Sequence, residues 1–133
     1  MKKVIKSMRG FTLIELMVTI IIIGVLASIA IPMYRANVQR AIKSEADANM
    51  GTIRTALRVY YAEFGNYPTA TAAKPWNISN LNIDSTDVIG KYYAASTYTV
   101  TSTSSAYTIY ATGSGESDGL DRKMVTDGTI SDQ

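Results

Sequence analysis

Hydrophobic and polar positions divide this chain into three regimes. From Phe11 to Ile31 the run is almost continuously apolar, broken by Thr12, Glu15, Thr19 and Ser28. Beyond Pro32 the pattern becomes one-sided. Val38, Ile42, Ala46, Met50, Ile53, Leu57, Tyr60 and Phe64 recur at spacings of three and four, the signature of a helix with one buried face. These two regimes predict one helix from about Phe11 to Phe64, stopped by Gly65 and by Pro68 shortly after. The third regime is Thr-, Ser-, Asn- and Gly-rich, with short alternating runs that read as strands.

In the third regime, residues 66–90 read as a connecting loop with Trp76 covering the junction of helix and head. Residues 91–133 then supply the strands. Lys91–Ala94 is a weak candidate, and Tyr98–Thr101 and Tyr107–Ala111 are stronger, joined by a turn at Ser102–Ser105. Lys123–Thr126, the turn Asp127-Gly128 and Thr129-Ile130 close the chain. The fold class is therefore α+β, with the second half of the helix packed on a small antiparallel sheet of three or four strands.

Composition sharpens this division. The apolar fraction of 47% is ordinary, but it is concentrated in the first third. Cysteine and histidine are both absent. That removes disulfides, thiolate metal sites, the usual general base and the commonest transition-metal ligand. Nothing points to an enzyme, and without a disulfide strand pairing must hold the C-terminal tail.

Charge is uneven too. Lys2, Lys3, Lys6 and Arg9 fall in the first ten residues with no acid, leaving 9 basic against 11 acidic side chains in the rest. The basicity belongs to a leader held on the cytoplasmic side of a membrane, and no specific nucleic-acid site is evident.

Three readings compete for the apolar run. As a secretory signal with Ser28-Ile29-Ala30 as cleavage site, its centre is too long and contains Glu15. As a plain membrane anchor it fits, because residues 11–31 span about 31 Å at 1.5 Å per residue. That reading leaves Glu15 unexplained, since a charge near the bilayer centre costs roughly 2.5–3.5 kcal/mol.

The third reading rests on Arg9-Gly10-Phe11-Thr12-Leu13-Ile14-Glu15 followed by about sixteen apolar residues. Over residues 9–32 the chain closely resembles type IV pilins, of the type IVa kind with a short leader, and the pseudopilins of type II secretion. The resemblance implies a ladle-like fold and cleavage by a membrane prepilin peptidase between Gly10 and Phe11, with N-methylation of Phe11. Residues 1–10 would then be a cleaved leader, 11–32 the membrane or filament-core half of the helix, and 33–65 its amphipathic half. The freed Phe11 amine and Glu15, four residues apart, share a helix face. The family pairs the glutamate of an incoming subunit with its neighbour's amine, and intrahelical neutralisation is the bland alternative. Gly24 and Pro32 are either a packing glycine and a mild kink or, as in type IVa pilins, the limits of a segment that unwinds in the filament.

Implied partners are further copies of the chain, the peptidase, the inner membrane, and an inner-membrane assembly platform with its ATPases. The implied route runs from an inner-membrane precursor with a periplasmic head to an extracellular pilus. Filaments of this kind serve adhesion, twitching motility and DNA uptake; the alternative is the major pseudopilin of a periplasmic pseudopilus. No cofactor is expected beyond a weakly indicated calcium loop at Glu116, Asp118 and Asp121, whose spacing is not that of an EF-hand. Nine tyrosines raise the idea of electron transport. The gap between Tyr34 and Tyr60, about 39 Å of helix, argues for core packing and strand propensity instead.

Overall fold

The computed structural model describes residues 10–133. They fall into two compact units, one ending at Asn37 and the other comprising Val38–Gln133. One helix, α1 (Leu13–Phe64), supplies the regular structure of the first and one layer of the second. Five strands follow: β1 (Ala70–Ala73), β2 (Tyr98–Ser102), β3 (Tyr107–Ala111), β4 (Arg122–Val125) and β5 (Ile130–Asp132). They form one antiparallel sheet in the order of the chain. The leader residues Lys2, Lys3, Lys6 and Arg9 lie outside the described residues.

In the second unit the helical stripe does what its spacing requires. Ile42, Ala46, Met50, Ile53 and Leu57 are buried against Tyr98 and Val100 of β2, Ile109 and Ala111 of β3 and Met124 of β4. Burial stabilises by about 1.5–3 kcal/mol for each large apolar side chain. Val38, Tyr60 and Trp76 are partly buried against this core. The last stripe residue, Phe64, stays exposed, with its ring 4.4 Å from Tyr60. There the helix stops. Gly65 takes a left-handed φ of +75° and donates its N–H to the Tyr61 carbonyl at 2.8 Å, a conformation that costs glycine little. Strands β2 and β3 alternate as expected and join in a tight hairpin closed by Thr103 N–H on the Ala106 carbonyl, 2.8 Å.

Two sequence expectations about the sheet are corrected. It has five strands, because β1 lies inside the stretch read as a connecting loop. Ala-Thr-Ala-Ala has no strand-like composition; it pairs with β2 through a bulge. Ala72 sits there at φ +47°, its N–H bonded to Thr101 Oγ1 at 3.1 Å. Lys91–Ala94, conversely, is not a strand. The amides of Lys91, Tyr92 and Tyr93 donate to the Glu45 carboxylate of α1 at 2.9, 2.8 and 2.8 Å, so they do not enter a ladder. Gly90 makes room for this: a Cβ there would stand 2.0 Å from Glu45 Oε1.

The tail is held by more than strand pairing. Arg122 of β4 grips Asp47 of α1 through two bonds of 2.9 and 2.7 Å and reaches Asp132 of β5 at 2.6 Å. Lys43 of α1 closes the network on Asp132 at 2.8 Å. Further along α1, Arg54 donates to the Tyr107 hydroxyl at 3.2 Å and to the Asp127 carbonyl at 2.9 Å. Charged residues flanking the stripe thus tie the C-terminal strands to the helix, and do so without a disulfide.

Two outcomes test these ties. Glu45→Ala strands three amides and should destabilise the second unit by about 2–4 kcal/mol in urea unfolding, and Gly90→Val should act in the same direction by displacing the carboxylate. Lys43, then Arg122, hold the Asp132 carboxyl below its ordinary 3.8. The folded value is the lower one, so this contribution is complete above about pH 4 and is lost as pH falls through the folded value. Acid unfolding curves of Asp132→Asn should therefore lack part of the parental loss below about pH 4, and added salt should shrink the difference between the two.

Candidate functional site at the start of the helix

Gly10, Phe11 and Thr12 precede the first helical residue, Leu13. The first turn of any helix leaves backbone N–H groups without intrahelical partners, and here Thr12 and Glu15 answer that need reciprocally. The Glu15 amide donates to Thr12 Oγ1 at 3.3 Å. The Thr12 amide and hydroxyl donate to Glu15 Oε2 at 2.9 and 2.8 Å. This is a capping box, Thr-x-x-Glu. Sequence alone ties Glu15 to a freed Phe11 amine and leaves Thr12 out. The signal was nonetheless present in the spacing Thr12-Leu13-Ile14-Glu15.

The box supplies the carboxylate with donors but does not cancel its charge. A cap of this kind is worth about 0.5–2 kcal/mol, against the roughly 2.5–3.5 kcal/mol cost of a charge near a bilayer centre. Both side-chain bonds end on Oε2, and Oε1 makes none among the described residues. Glu15 can therefore keep its cap and still meet a cation through Oε1. Around it the helix is bare. Phe11 is 87% exposed, and none of the most apolar 18-residue window of α1 is buried. By length and composition this segment can cross a membrane.

The remaining candidates are placed less closely. Among the described residues a Cβ on Gly10 or Gly24 would meet nothing within 4 Å. Among the described residues, therefore, no packing contact demands glycine at either position. The helix runs unbroken through Gly24 and Pro32, and the Ser28 hydroxyl bonds the Val25 carbonyl at 2.7 Å. Glu116 and Asp118 are exposed, and Asp121 accepts the Gly113 N–H at 2.7 Å. Among the described residues no three His, Cys, Asp or Glu side chains are grouped to hold a metal. The loop is closed instead by Ser117, whose hydroxyl donates toward the Tyr92 and Ser114 carbonyls.

Residues 5–31 match the prokaryotic N-terminal methylation motif, which spans the Gly10–Phe11 junction and the capping box. The chain thus resembles type IV pilins and type II secretion pseudopilins. A fimbrial protein of Neisseria meningitidis is 40% identical over 63% of this chain and 46% of its own length. The type II secretion system core protein G of Escherichia coli is 44% identical over 46% of this chain and 42% of its own length. The type IV major pilin protein PilA of Myxococcus xanthus is 46% identical over 44% and 27%. The chain thus spans under half the length of the relatives it matches.

For this pilin-type start, Thr12→Val keeps the amide but removes the hydroxyl of the box. Hydrogen exchange in detergent should show faster exchange at Leu13–Glu15, equivalent to about 0.5–2 kcal/mol of lost capping, with the second unit unchanged.

Proposed function

We propose that this chain is a structural subunit, processed by prepilin peptidase between Gly10 and Phe11, N-methylated on Phe11, and polymerised into a type IV pilus filament. The observation that carries this reading is Glu15, a carboxylate whose Oε1 has no bond among the described residues, in the otherwise bare apolar first half of α1. Cleavage after Gly10 would create an α-ammonium on Phe11, beside the Thr12 amide that already caps Glu15. When such helices pack side by side, the ammonium of one copy and Glu15 Oε1 of the next neutralise each other, fixing the axial register. The bare face of Phe11–Ile31 would lie in the inner membrane before assembly and in the filament core afterwards.

No described residue stands within 4 Å of where a Cβ on Gly10 would lie, which supports recognition by a peptidase that needs close backbone approach. Under this reading the leader faces the cytoplasm, the second unit the periplasm, and a platform driven by ATPases extracts each subunit. Adhesion, twitching motility and DNA uptake are the uses such a filament would serve.

A second reading is favoured by the likeness to type II secretion core protein G: a major pseudopilin forming a short periplasmic pseudopilus. Calcium titration of residues 35–133 discriminates. The pilus reading expects an unchanged melting temperature, whereas strong stabilisation supports the pseudopilin. For both, Glu15→Ala should preserve membrane insertion and abolish filaments seen by electron microscopy; normal filaments would remove Glu15 from the assembly mechanism.

A further inference from the structure

We propose that a groove beside the last turns of α1 receives Arg58 of a second copy, in a contact that repeats from copy to copy; the proposal rests on the filament reading above. The groove, about 380 Å³, is walled by Thr55, Val59, Tyr60 and Glu63 of α1 and by Ile83 and Asp87 of the facing loop. Val59 is 59% exposed within it. Its lining includes two carboxylates and no basic side chain. Asp87 accepts the Asp84 N–H on Oδ2 and leaves Oδ1 without a hydrogen bond among the described residues. An apolar wall ending in carboxylates suits a cation on a hydrocarbon stem. Arginine fits best, because its stem covers apolar surface while its planar fork meets carboxylate oxygens.

The same helix carries the complementary group on its other edge. At 100° per residue, Glu63 and Arg58 lie about 140° apart, on opposite sides of the buried stripe. Arg54, near Arg58, is engaged with Tyr107 and Asp127. Arg58 is exposed and makes no hydrogen bond or ion pair among the described residues. Donor and receiver therefore sit on opposite flanks. A copy that inserts its Arg58 leaves its own groove open to a third copy, so the contact is heterologous and does not close on itself. Exposed ion pairs add little affinity, and the contact would select neighbour and register while the stems drive association.

The test uses two full-length single variants, Arg58→Glu and Glu63→Arg, expressed separately and together. Each alone juxtaposes like charges at every such contact. Mixed, Glu at 58 of one meets Arg at 63 of the other, and the unchanged pair meets in the reverse order. The expected result is loss of sheared filaments with either variant alone and recovery on co-expression, with the melting temperature of each variant unchanged. If either variant alone assembles as the parent does, another occupant owns the groove and the proposal is wrong; failure of co-expression to restore assembly also overturns it. Should the parent form no filaments, multimers in detergent extracts decide. The same loss and recovery there would sink the filament reading and leave the contact standing, and multimers without that pattern, or no multimers, overturn the contact.

Discussion

A carboxylate in the first turn of a bare apolar helix is the constraint around which this protein is organised. Thr12 gives Glu15 two hydrogen bonds and receives one, which makes the helix start well defined. Hydrogen bonds from neutral groups do not remove a charge, and the cap offsets only part of the cost of carrying one into lipid. The residue left unsatisfied is a demand for a cation. Under the proposed cleavage after Gly10, the α-ammonium of a neighbouring copy would meet that demand, and processing, membrane residence and association would follow from one electrostatic constraint.

The second unit solves a different problem. It must hold five short strands on one face of a helix with no cysteine to staple the tail. Apolar burial along Ile42–Leu57 supplies most of the energy, and side chains at the edges of that stripe supply the addresses. Glu45 fixes the turn at 91–93, Asp47 and Lys43 fix β4 and β5 through Arg122 and Asp132, and Arg54 fixes the last turn. Each couples a helix residue to a segment 45 or more positions later. The strands cannot shift register without breaking a charge-assisted bond.

Much of this was legible beforehand, and the reasons are local. The stripe from Val38 to Tyr60, the stop at Gly65 and the hairpins at Ser102–Ser105 and Asp127-Gly128 all follow from spacing and turn chemistry over a few residues. What escaped the sequence was long-range. β1 was hidden because Ala70–Ala73 has no strand composition and becomes a strand only by finding β2. Lys91–Ala94 looked strand-like because the carboxylate that claims its amides lies 46 to 48 positions earlier. The partners of Lys43, Glu45, Asp47 and Arg54 were not legible, because polarity alone does not reveal one. At the candidate site, Gly10, Phe11 and Glu15 stood out by their pattern, and Thr12 was overlooked although its spacing from Glu15 announces a capping box.

The most direct measurement is a structure of the assembled protein resolving the helix start of adjacent copies. The account predicts chains that begin at Phe11, each with its α-amino nitrogen within about 4 Å of a neighbour's Glu15 Oε1 while Thr12 still holds Oε2. Assemblies whose chains retain residues 1–10, or in which Glu15 Oε1 faces no ammonium, would contradict it.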